Sequence, residues 1–229
     1  EGAGLDFLII EEFNLELSRL TPLEYVKNLL AEGIKPSIVV IGDDHRFGRN
    51  REGDFNALEE MGKMFGFEVI ALDAEYVNDI RVSSTKIRQA IYQGDMQIAS
   101  EFLTETFPLV GRVIKGQKLG RDLGFPTANI EVDKELKIIP KNGAYAVWAI
   151  TPDGTKRKAM LNIGERPTVS NSSNTSIEVN ILDFSENLYG ENLEVRFVKR
   201  LREERRFSNV DELKAALIDD ENSVRKILT

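Results

Sequence analysis

The chain has 229 residues, of which 41% are hydrophobic and 30% charged, and this suffices for one large or two ordinary globular domains. Its net charge of −8 argues against a nucleic-acid binder that relies on a basic surface. With no cysteine and one histidine, disulfides, thiolate catalysis and sites of several histidines are excluded. No apolar run reaches membrane-spanning length and no signal-peptide pattern is present, so we predict a cytoplasmic protein with no membrane or nucleic-acid partner.

The first half of the chain alternates strand patterns with helix patterns. Three strands with near-continuous apolar runs, typical of burial on both faces, are predicted at residues 5–10, 37–41 and 67–72. Three helices with capping side chains are predicted after Thr21, at 54–65 and at 83–91, and they end at Gly33, Gly66 and Gly94. This order predicts a parallel sheet with right-handed crossovers.

Three strands are few for a doubly wound domain. The sequence also begins with Glu1 rather than with methionine. We therefore expect the N-terminal part of this domain to be missing from the sequence.

Two loops follow the second and third predicted strands, where open parallel sheets bind their ligands. The loop at 42–48 carries Asp44, His45 and Arg46. The loop at 81–88 places Ser84 and Thr85 at the start of a helix and Arg88 one turn further, which suits a phosphate group. Ordinary serine capping is the alternative for the second loop, and His45 on its own fits a loop residue better than a catalyst.

The pattern changes after a short predicted helix at 95–103, and we divide the chain into domains at 1–104 and 105–229. Short strands separated by turn signals now recur, as in an antiparallel sandwich or barrel. They are predicted at residues 108–114, 143–151, 156–163, 175–183 and 193–201. The polar run at 170–174 is predicted to be a mobile surface loop.

A closing helix is predicted at 208–228, with Ser208 as its N-cap. Its spacing of apolar residues predicts core contacts. These residues are Val210, Leu213, Leu217, Val224 and Leu228.

A glycine-rich basic stretch at 111–130 ends in Pro126-Thr127-Ala128-Asn129. Backbone N–H groups in tight turns, together with nearby cations, favour anion binding. A hydroxyl and an amide two residues apart supply the oxygen ligands that Mg²⁺ prefers. The stretch lacks the Gly-Lys-Ser/Thr ending of a Walker A loop. From spacing alone, a nucleotide-phosphate and metal loop and a cationic hairpin are equally supported.

Glu178 is the best candidate for a general base. The predicted strand around it alternates, with Ile177, Val179 and Ile181 on one face and Glu178 on the other. A carboxylate held on that polar face could accept a hydroxyl proton. A solvated outer strand face is the alternative reading of the same pattern.

Five segments of the second domain occur in an order that resembles the riboflavin kinase module. They are residues 120–130, 162–168, Glu178 with 182–184, 188–190 and 201–207. Residues 42–48 and 82–88 resemble the second half of an FMN adenylyltransferase module. The whole chain thus resembles the bacterial bifunctional riboflavin kinase/FAD synthetase family. The resemblance implies a partial Rossmann-like nucleotidyltransferase domain followed by an antiparallel Greek-key β-barrel with a C-terminal helix.

The resemblance also implies roles for single residues of the second domain. Gly116, Arg121 and Thr127 would contact ATP, Thr127 and Asn129 would hold Mg²⁺, and Glu178 would take the proton of the riboflavin hydroxyl. The flavin would be bordered by a segment that contains Arg202, Glu204 and Phe207. The implied activity is phosphorylation of riboflavin to FMN with ATP and Mg²⁺.

In the first domain, the resemblance assigns ATP contacts to Asp44, Arg46, Ser84, Thr85 and Arg88. The implied activity of the full-length protein is adenylylation of FMN to FAD. Its partners would be small molecules only.

The sequence departs from the family at two points. The family usually has a histidine two residues after the glutamate, where this chain has Asn180, and we expect the amide to be tolerated because it still donates and accepts hydrogen bonds. The family's His-x-Gly-His-type motif is not found, since His45 is the only histidine. We therefore expect this chain to make FMN but not FAD.

Two other classes of function were weighed. A non-catalytic flavin- or nucleotide-binding module would keep the fold without the chemistry, but Thr127, Asn129 and Glu178 all stand where the family requires them. A nucleic-acid-binding β-barrel would need a basic face studded with aromatic residues, which the acidic composition disfavours.

Overall fold

A computed structural model describes residues 4–116, 120, 123–133, 137–165 and 175–229. The chain divides into two compact units, Glu1–Tyr76 and Val77–Thr229. The domain boundary predicted between residues 104 and 105 stays a prediction. No helix in the described part of the chain is long and apolar enough to cross a bilayer.

The first unit contains a parallel two-stranded sheet with one helix between its strands. Its elements are α1 (Leu15–Arg19), α2 (Pro22–Tyr25) continued by a π-helix (Val26–Ile34), β1 (Ile38–Gly42), a 3₁₀ turn (Arg49–Arg51), α3 (Phe55–Phe65) and β2 (Glu68–Leu72). β1 and β2 pair in parallel from Ile38–Glu68 to Gly42–Leu72, as predicted. The core under the sheet consists of Val26, Phe47, Leu58 and Phe67.

The helix ends of this unit follow their sequence signals closely. Thr21 and Glu24 form a capping box, in which each side chain accepts a hydrogen bond from the backbone N–H of the other. Asp54 caps α3, and Gly66 closes it at a φ of 84°. The end predicted at Gly33 is wrong by two residues, because the helix continues to Ile34 and Lys35 closes it in the left-handed conformation.

The prediction of a buried strand at 5–10 is wrong. These residues form no strand and are exposed, with Phe7 at 88%. A strand needs a neighbour for its backbone hydrogen bonds, and in the described residues β1 pairs only with β2. The predicted burial of β1 and β2 is also wrong on one face, since Val40 and Ile70 are exposed while Val39 and Val69 pack on the core.

The second unit begins with a short hairpin strand pair and two helices. The two short strands are β3 (Tyr76–Val77) and β4 (Ile80–Arg81), and the helices are α4 (Ser84–Gln93) and α5 (Met96–Leu103). Ser83 caps α4, and Gly94 closes it at a φ of 81°, as predicted. Ile91, Met96 and Ala99 are buried against the barrel core that follows.

A closed six-stranded antiparallel barrel makes up the rest of the chain. Its strands are β5 (Phe107–Ile114), β6 (Ala128–Glu131), β7 (Gly143–Ile150), β8 (Lys156–Glu165), β9 (Thr175–Ile181) and β10 (Asn192–Arg202), in the order β10-β5-β6-β9-β8-β7. β7, β8 and β9 are consecutive neighbours and β6 lies beside β9, which is the Greek-key order that we predicted.

The barrel interior is filled by alternate residues of every strand, and Ile177, Val179 and Ile181 point inward as predicted. Tyr145 is fully buried and meets Phe197 edge to face, with ring centroids 5.2 Å apart. Burial raises the pKa of the Tyr145 phenol to about 12. The hydroxyl therefore stays protonated and donates to the Lys141 carbonyl.

The C-terminal helix α6 (Val210–Ile227) packs on the outside of the barrel. Its Val224 and the following Leu228 join a second apolar cluster with Ala146, Met160 and Leu182 of the barrel. Several residues of this cluster also line the candidate site described below.

Two predictions for α6 are wrong. Its N-cap is Asn209 rather than Ser208, because the Asn209 side chain accepts the Glu212 N–H at 2.8 Å. Ser208 instead donates its own N–H to the Glu212 carboxylate at 3.1 Å. Val210 is 60% exposed, since it lies on the outer side of the first turn.

Candidate active site

Glu178 lies on the outer face of the barrel between two amide side chains. In the strand register it faces Asn129 of β6 on one side and Asn162 of β8 on the other. It is half-buried rather than solvated, because the chain before β6 and the segment after β10 cover this face. The alternative of an open, solvated strand face is therefore wrong for Glu178.

Thr127 and Asn129 approach the same carboxylate from the neighbouring strand. The Thr127 hydroxyl donates to Glu178 Oε2 at 3.2 Å. Asn129 is only 5% exposed and lies directly across from Glu178 in the register. The three side chains predicted from the sequence to work together are thus neighbours in the fold.

Gly116 lies against the Asn129 side chain. A Cβ at Gly116 would lie only 2.5 Å from Asn129 Cγ, so the backbone can pass over this amide only because residue 116 has no side chain. Arg121, the other predicted phosphate contact of this loop, lies outside the described residues, as does the polar run at 170–174.

We expect Gly116→Ala to push Asn129 out of line, and misplacement of such a group by about 1 Å costs up to ~10²-fold in rate. Steady-state kinetics with ATP, together with a melting curve, would check this. A well-folded Gly116→Ala variant with the turnover of the parent would contradict the close packing of Gly116 on Asn129.

A cavity of about 270 Å³ brings five of the predicted site residues together. These are Thr127, Glu178, Arg202, Glu204 and Phe207. Its other walls include Leu123, Phe125, Met160 and Leu217. An apolar slot with a carboxylate and a hydroxyl at one end suits a flat, largely apolar molecule that carries a hydroxyl.

Arg202 is held in place at the edge of this cavity. Its Nε and Nη2 donate to the Asp220 carboxylate of α6, with the shortest distance at 2.8 Å, and Asp220 is only 6% exposed. The Phe207 ring lies below two guanidinium groups, at 5.6 Å from Arg202 and 4.8 Å from Arg205. Arg202 therefore anchors the cavity wall to α6 as well as facing the cavity.

Sequence reasoning missed Asp220, although a signal for it exists. Asp220 lies three residues after Leu217 and four before Val224, so it falls on the apolar face of α6. A carboxylate at such a position predicts a buried cationic partner.

Glu204 fastens the rim of the cavity to two strand ends. Its Oε1 accepts the Glu165 N–H at 3.2 Å, and its Oε2 accepts the Asn142 side-chain amide at 3.1 Å. A side chain at Gly164 would collide with this carboxylate. Glu204 thus joins the end of β8 and the start of β7 to the segment after β10.

A second cavity, of about 570 Å³, lies on the other side of Thr127. It is lined by Val113, Pro126, Ala128 and the segment from Phe184 to Tyr189. Among the residues that the structure describes, Thr127 is the one that lines both cavities. A group held at Thr127 is therefore within reach of molecules in both.

Two predicted nucleotide residues, Asp44 and Arg46, lie in the loop after β1. Arg46 Nη1 is 3.7 Å from the Asp54 carboxylate, and both side chains are about 40% exposed. The neighbouring His45 stacks on Phe47, with ring centroids 6.0 Å apart. This contact fits the reading of His45 as a loop residue.

The other predicted nucleotide residues lie in the first two turns of α4. Ser84, Thr85 and Arg88 are exposed there. The capping role belongs to Ser83, whose hydroxyl accepts the Lys86 N–H at 3.3 Å. Ser84 and Thr85 therefore remain available to a ligand at this helix start.

Comparison with known proteins identifies both halves of the chain. The riboflavin kinase family model matches residues 103–228, and the FAD synthetase model matches residues 1–86. The chain is 35% identical to the bifunctional riboflavin kinase/FMN adenylyltransferase of Escherichia coli K12, over 97% of this chain and 70% of that protein. It is 38% identical to the protein of the same name from Pseudomonas fluorescens, over 99% of this chain and 72% of that protein.

The fold is also similar to a solved structure. A Streptococcus pneumoniae crystal structure described as a macrolide-efflux protein superimposes with a TM-score of 0.83 at 31% identity, over 93% of this chain and 68% of the other. The two family matches, the sequence identities and the barrel geometry agree with one another. The chain belongs to the family of bifunctional riboflavin kinase/FMN adenylyltransferases.

Proposed function

We propose that the barrel phosphorylates riboflavin to FMN at the point where Thr127 and Glu178 meet between the two cavities. The observation that carries this proposal is the hydrogen bond from Thr127, which lines both cavities, to Glu178. Phosphoryl transfer depends on positioning an acceptor hydroxyl and a donor phosphate in line, and two cavities that meet at one point provide that arrangement.

Riboflavin occupies the smaller cavity in this proposal. Its flat ring system lies among Leu123, Phe125 and Leu217. Phe207, with Arg202 over its ring, forms another part of the cavity wall. Its ribityl chain then runs toward Glu178, so that the terminal hydroxyl reaches the carboxylate. The polar rim around Arg202 and Glu204 serves the polar edge of the ring.

The nucleotide occupies the larger cavity, with its phosphates toward Thr127. The walls from Phe184 to Tyr189 hold the nucleoside. ATP and riboflavin thus approach Thr127 from opposite sides.

The residues at this junction fit a Mg²⁺ ion. The Thr127 hydroxyl uses its proton toward Glu178, which leaves its oxygen lone pairs for a cation, and Asn129 supplies an amide oxygen. Mg²⁺ takes one or two protein oxygens, the substrate phosphates and water. When bound, it would neutralise charge on the phosphates.

Glu178 acts as the general base. It accepts the proton of the riboflavin 5′-hydroxyl, and the hydroxyl oxygen forms a bond to the γ-phosphorus of ATP. The bond from that phosphorus to the β–γ bridging oxygen breaks, and ADP leaves. Thr127 orients the carboxylate through its hydrogen bond.

The N-terminal residues belong to the second reaction of the family. We assign Asp44, Arg46, Ser84, Thr85 and Arg88 to the nucleotide in the adenylylation of FMN to FAD. The support for this is the FAD synthetase match over residues 1–86, which covers all of them but Arg88, and the exposure of Ser84, Thr85 and Arg88 in the first two turns of α4.

The direct test is incubation of the chain with riboflavin, ATP and Mg²⁺, followed by chromatography of the flavins. FMN is the expected product, and the same chromatogram reports any FAD. Riboflavin that stays bound but unchanged would indicate a binding module and overturn the proposal.

Replacing Thr127 by valine keeps the side-chain shape but removes the hydroxyl. We expect the Mg²⁺ concentration for half-maximal activity to rise about tenfold, the lower end of what loss of one metal-site partner costs. Thr127→Ser, which keeps the hydroxyl, is the matched control and should stay close to the parent. If Thr127→Val showed the same Mg²⁺ dependence as the parent, Thr127 would not be a Mg²⁺ ligand.

A further inference from the structure

Asn180 lies two residues beyond Glu178 on β9 and therefore on the same outer face. Its side chain is buried, at 6% exposure. Its Nδ2 donates to the Pro126 carbonyl at 2.7 Å. Asn180 thus binds the backbone of the residue directly before Thr127.

This contact stands where the backbone pairing between β6 and β9 comes to an end. The register runs through Asn129–Glu178 and Ala128–Val179. Further pairing toward residue 126 is blocked, because a proline has no N–H to donate. The Asn180 amide makes the next link between the two chains in place of a backbone hydrogen bond.

The link determines the orientation of Thr127. The ring of Pro126 fixes its φ angle, and the hydrogen bond from Asn180 fixes its carbonyl. The peptide bond between Pro126 and Thr127 therefore has a defined orientation. The Thr127 hydroxyl is thereby directed at Glu178. Without the link, the backbone before Thr127 would lose its hydrogen bond to β9.

We propose that Asn180 is a positioning residue for phosphoryl transfer, which acts through the Pro126 carbonyl on Thr127. This inference rests on the proposed function, since it requires Thr127 and Glu178 to be the transfer site. What the position demands is an N–H donor of the right reach. Asparagine supplies it here, and an ionised carboxylate of the same shape would repel the carbonyl instead.

The test compares Asn180→Asp with Asn180→His. Aspartate has the size of asparagine but accepts only, so turnover should fall by about 10²-fold, the cost of misplacing a reacting group by about 1 Å. Histidine retains an N–H, and its turnover should stay within about threefold of the parent. Because Asn180 also lines the smaller cavity, turnover is compared at saturating riboflavin, so that a change in riboflavin affinity does not enter the comparison.

Asn192→Asp is the matched control. It makes the same chemical change at the exposed start of β10, away from both cavities, and its turnover should equal that of the parent. If the melting curve shows that Asn180→Asp does not fold, Asn180→Ser takes its place. The serine side chain is too short to reach the Pro126 carbonyl and adds no charge, so the same loss of turnover is expected.

Two results would overturn the inference. One is a folded Asn180→Asp variant, or Asn180→Ser in its place, with turnover within about threefold of the parent. The other is an Asn180→His variant as impaired as Asn180→Asp. Glu178→Gln, measured in parallel, distinguishes failure of the proposed site from failure of the inference about Asn180. Full turnover in Glu178→Gln refutes the proposed site. An inactive Glu178→Gln together with an active Asn180→Asp refutes only the role of Asn180.

Discussion

Riboflavin phosphorylation by a Glu178→Gln variant is expected to be about 10²- to 10⁴-fold slower than by the parent, the usual contribution of a general base. Glutamine keeps the shape of the side chain and can still accept the hydrogen bond from Thr127, but it cannot take a proton from riboflavin. The loss should therefore appear in kcat, while the affinity for ATP is largely kept. Single-turnover kinetics measures the chemical step directly.

Glu131→Gln is the matched control for this experiment. Glu131 lies on β6, two residues after Asn129, but it is exposed and lines neither cavity. Its turnover should equal that of the parent. If Glu178→Gln kept near-normal turnover, the proton would have to leave by another route and the assignment of Glu178 would fail.

The strand face on which each site residue lies could be predicted because it depends on local periodicity, whereas the meeting of Thr127 with Glu178 across 51 residues was implied only by the resemblance to the family. Alternation along β9 places Val179 on the inner face of the barrel and Glu178 on the outer face. The two-residue spacing of Thr127 and Asn129 places both of them on one face. Helix ends were equally accessible, since capping at Thr21 and the left-handed turn at Gly66 are decided within a few residues.

Contacts between distant segments could not be predicted in the same way. The Asn180 amide finds Pro126 across 54 residues, and nothing in the local sequence of either residue specifies the other. The prediction of a buried strand at 5–10 was wrong for a related reason. Hydrophobic composition signals that burial is favourable, but it does not supply the neighbouring strand that burial requires.

The second large effect is expected at Asp220. Replacing it by alanine should lower the free energy of unfolding of the barrel by about 3 kcal/mol, the low end for breaking a buried ion pair, because Asp220 is buried while the Arg202 side chain keeps 23% exposure. Asp220 is 6% exposed, and Arg202 directs its Nε and Nη2 at it. The cost is therefore much larger than that of a surface ion pair, which contributes at most about 1 kcal/mol.

The measurement can use the single tryptophan of the chain, Trp148, which packs in the same apolar cluster as Val224 of α6. Its fluorescence during denaturation by urea reports on the part of the molecule that the ion pair joins. Asp219→Ala, one residue away and exposed, is the control and should change stability by less than about 0.5 kcal/mol. If both variants unfold at the urea concentration of the parent, the pair between Arg202 and Asp220 does not hold α6 to the barrel.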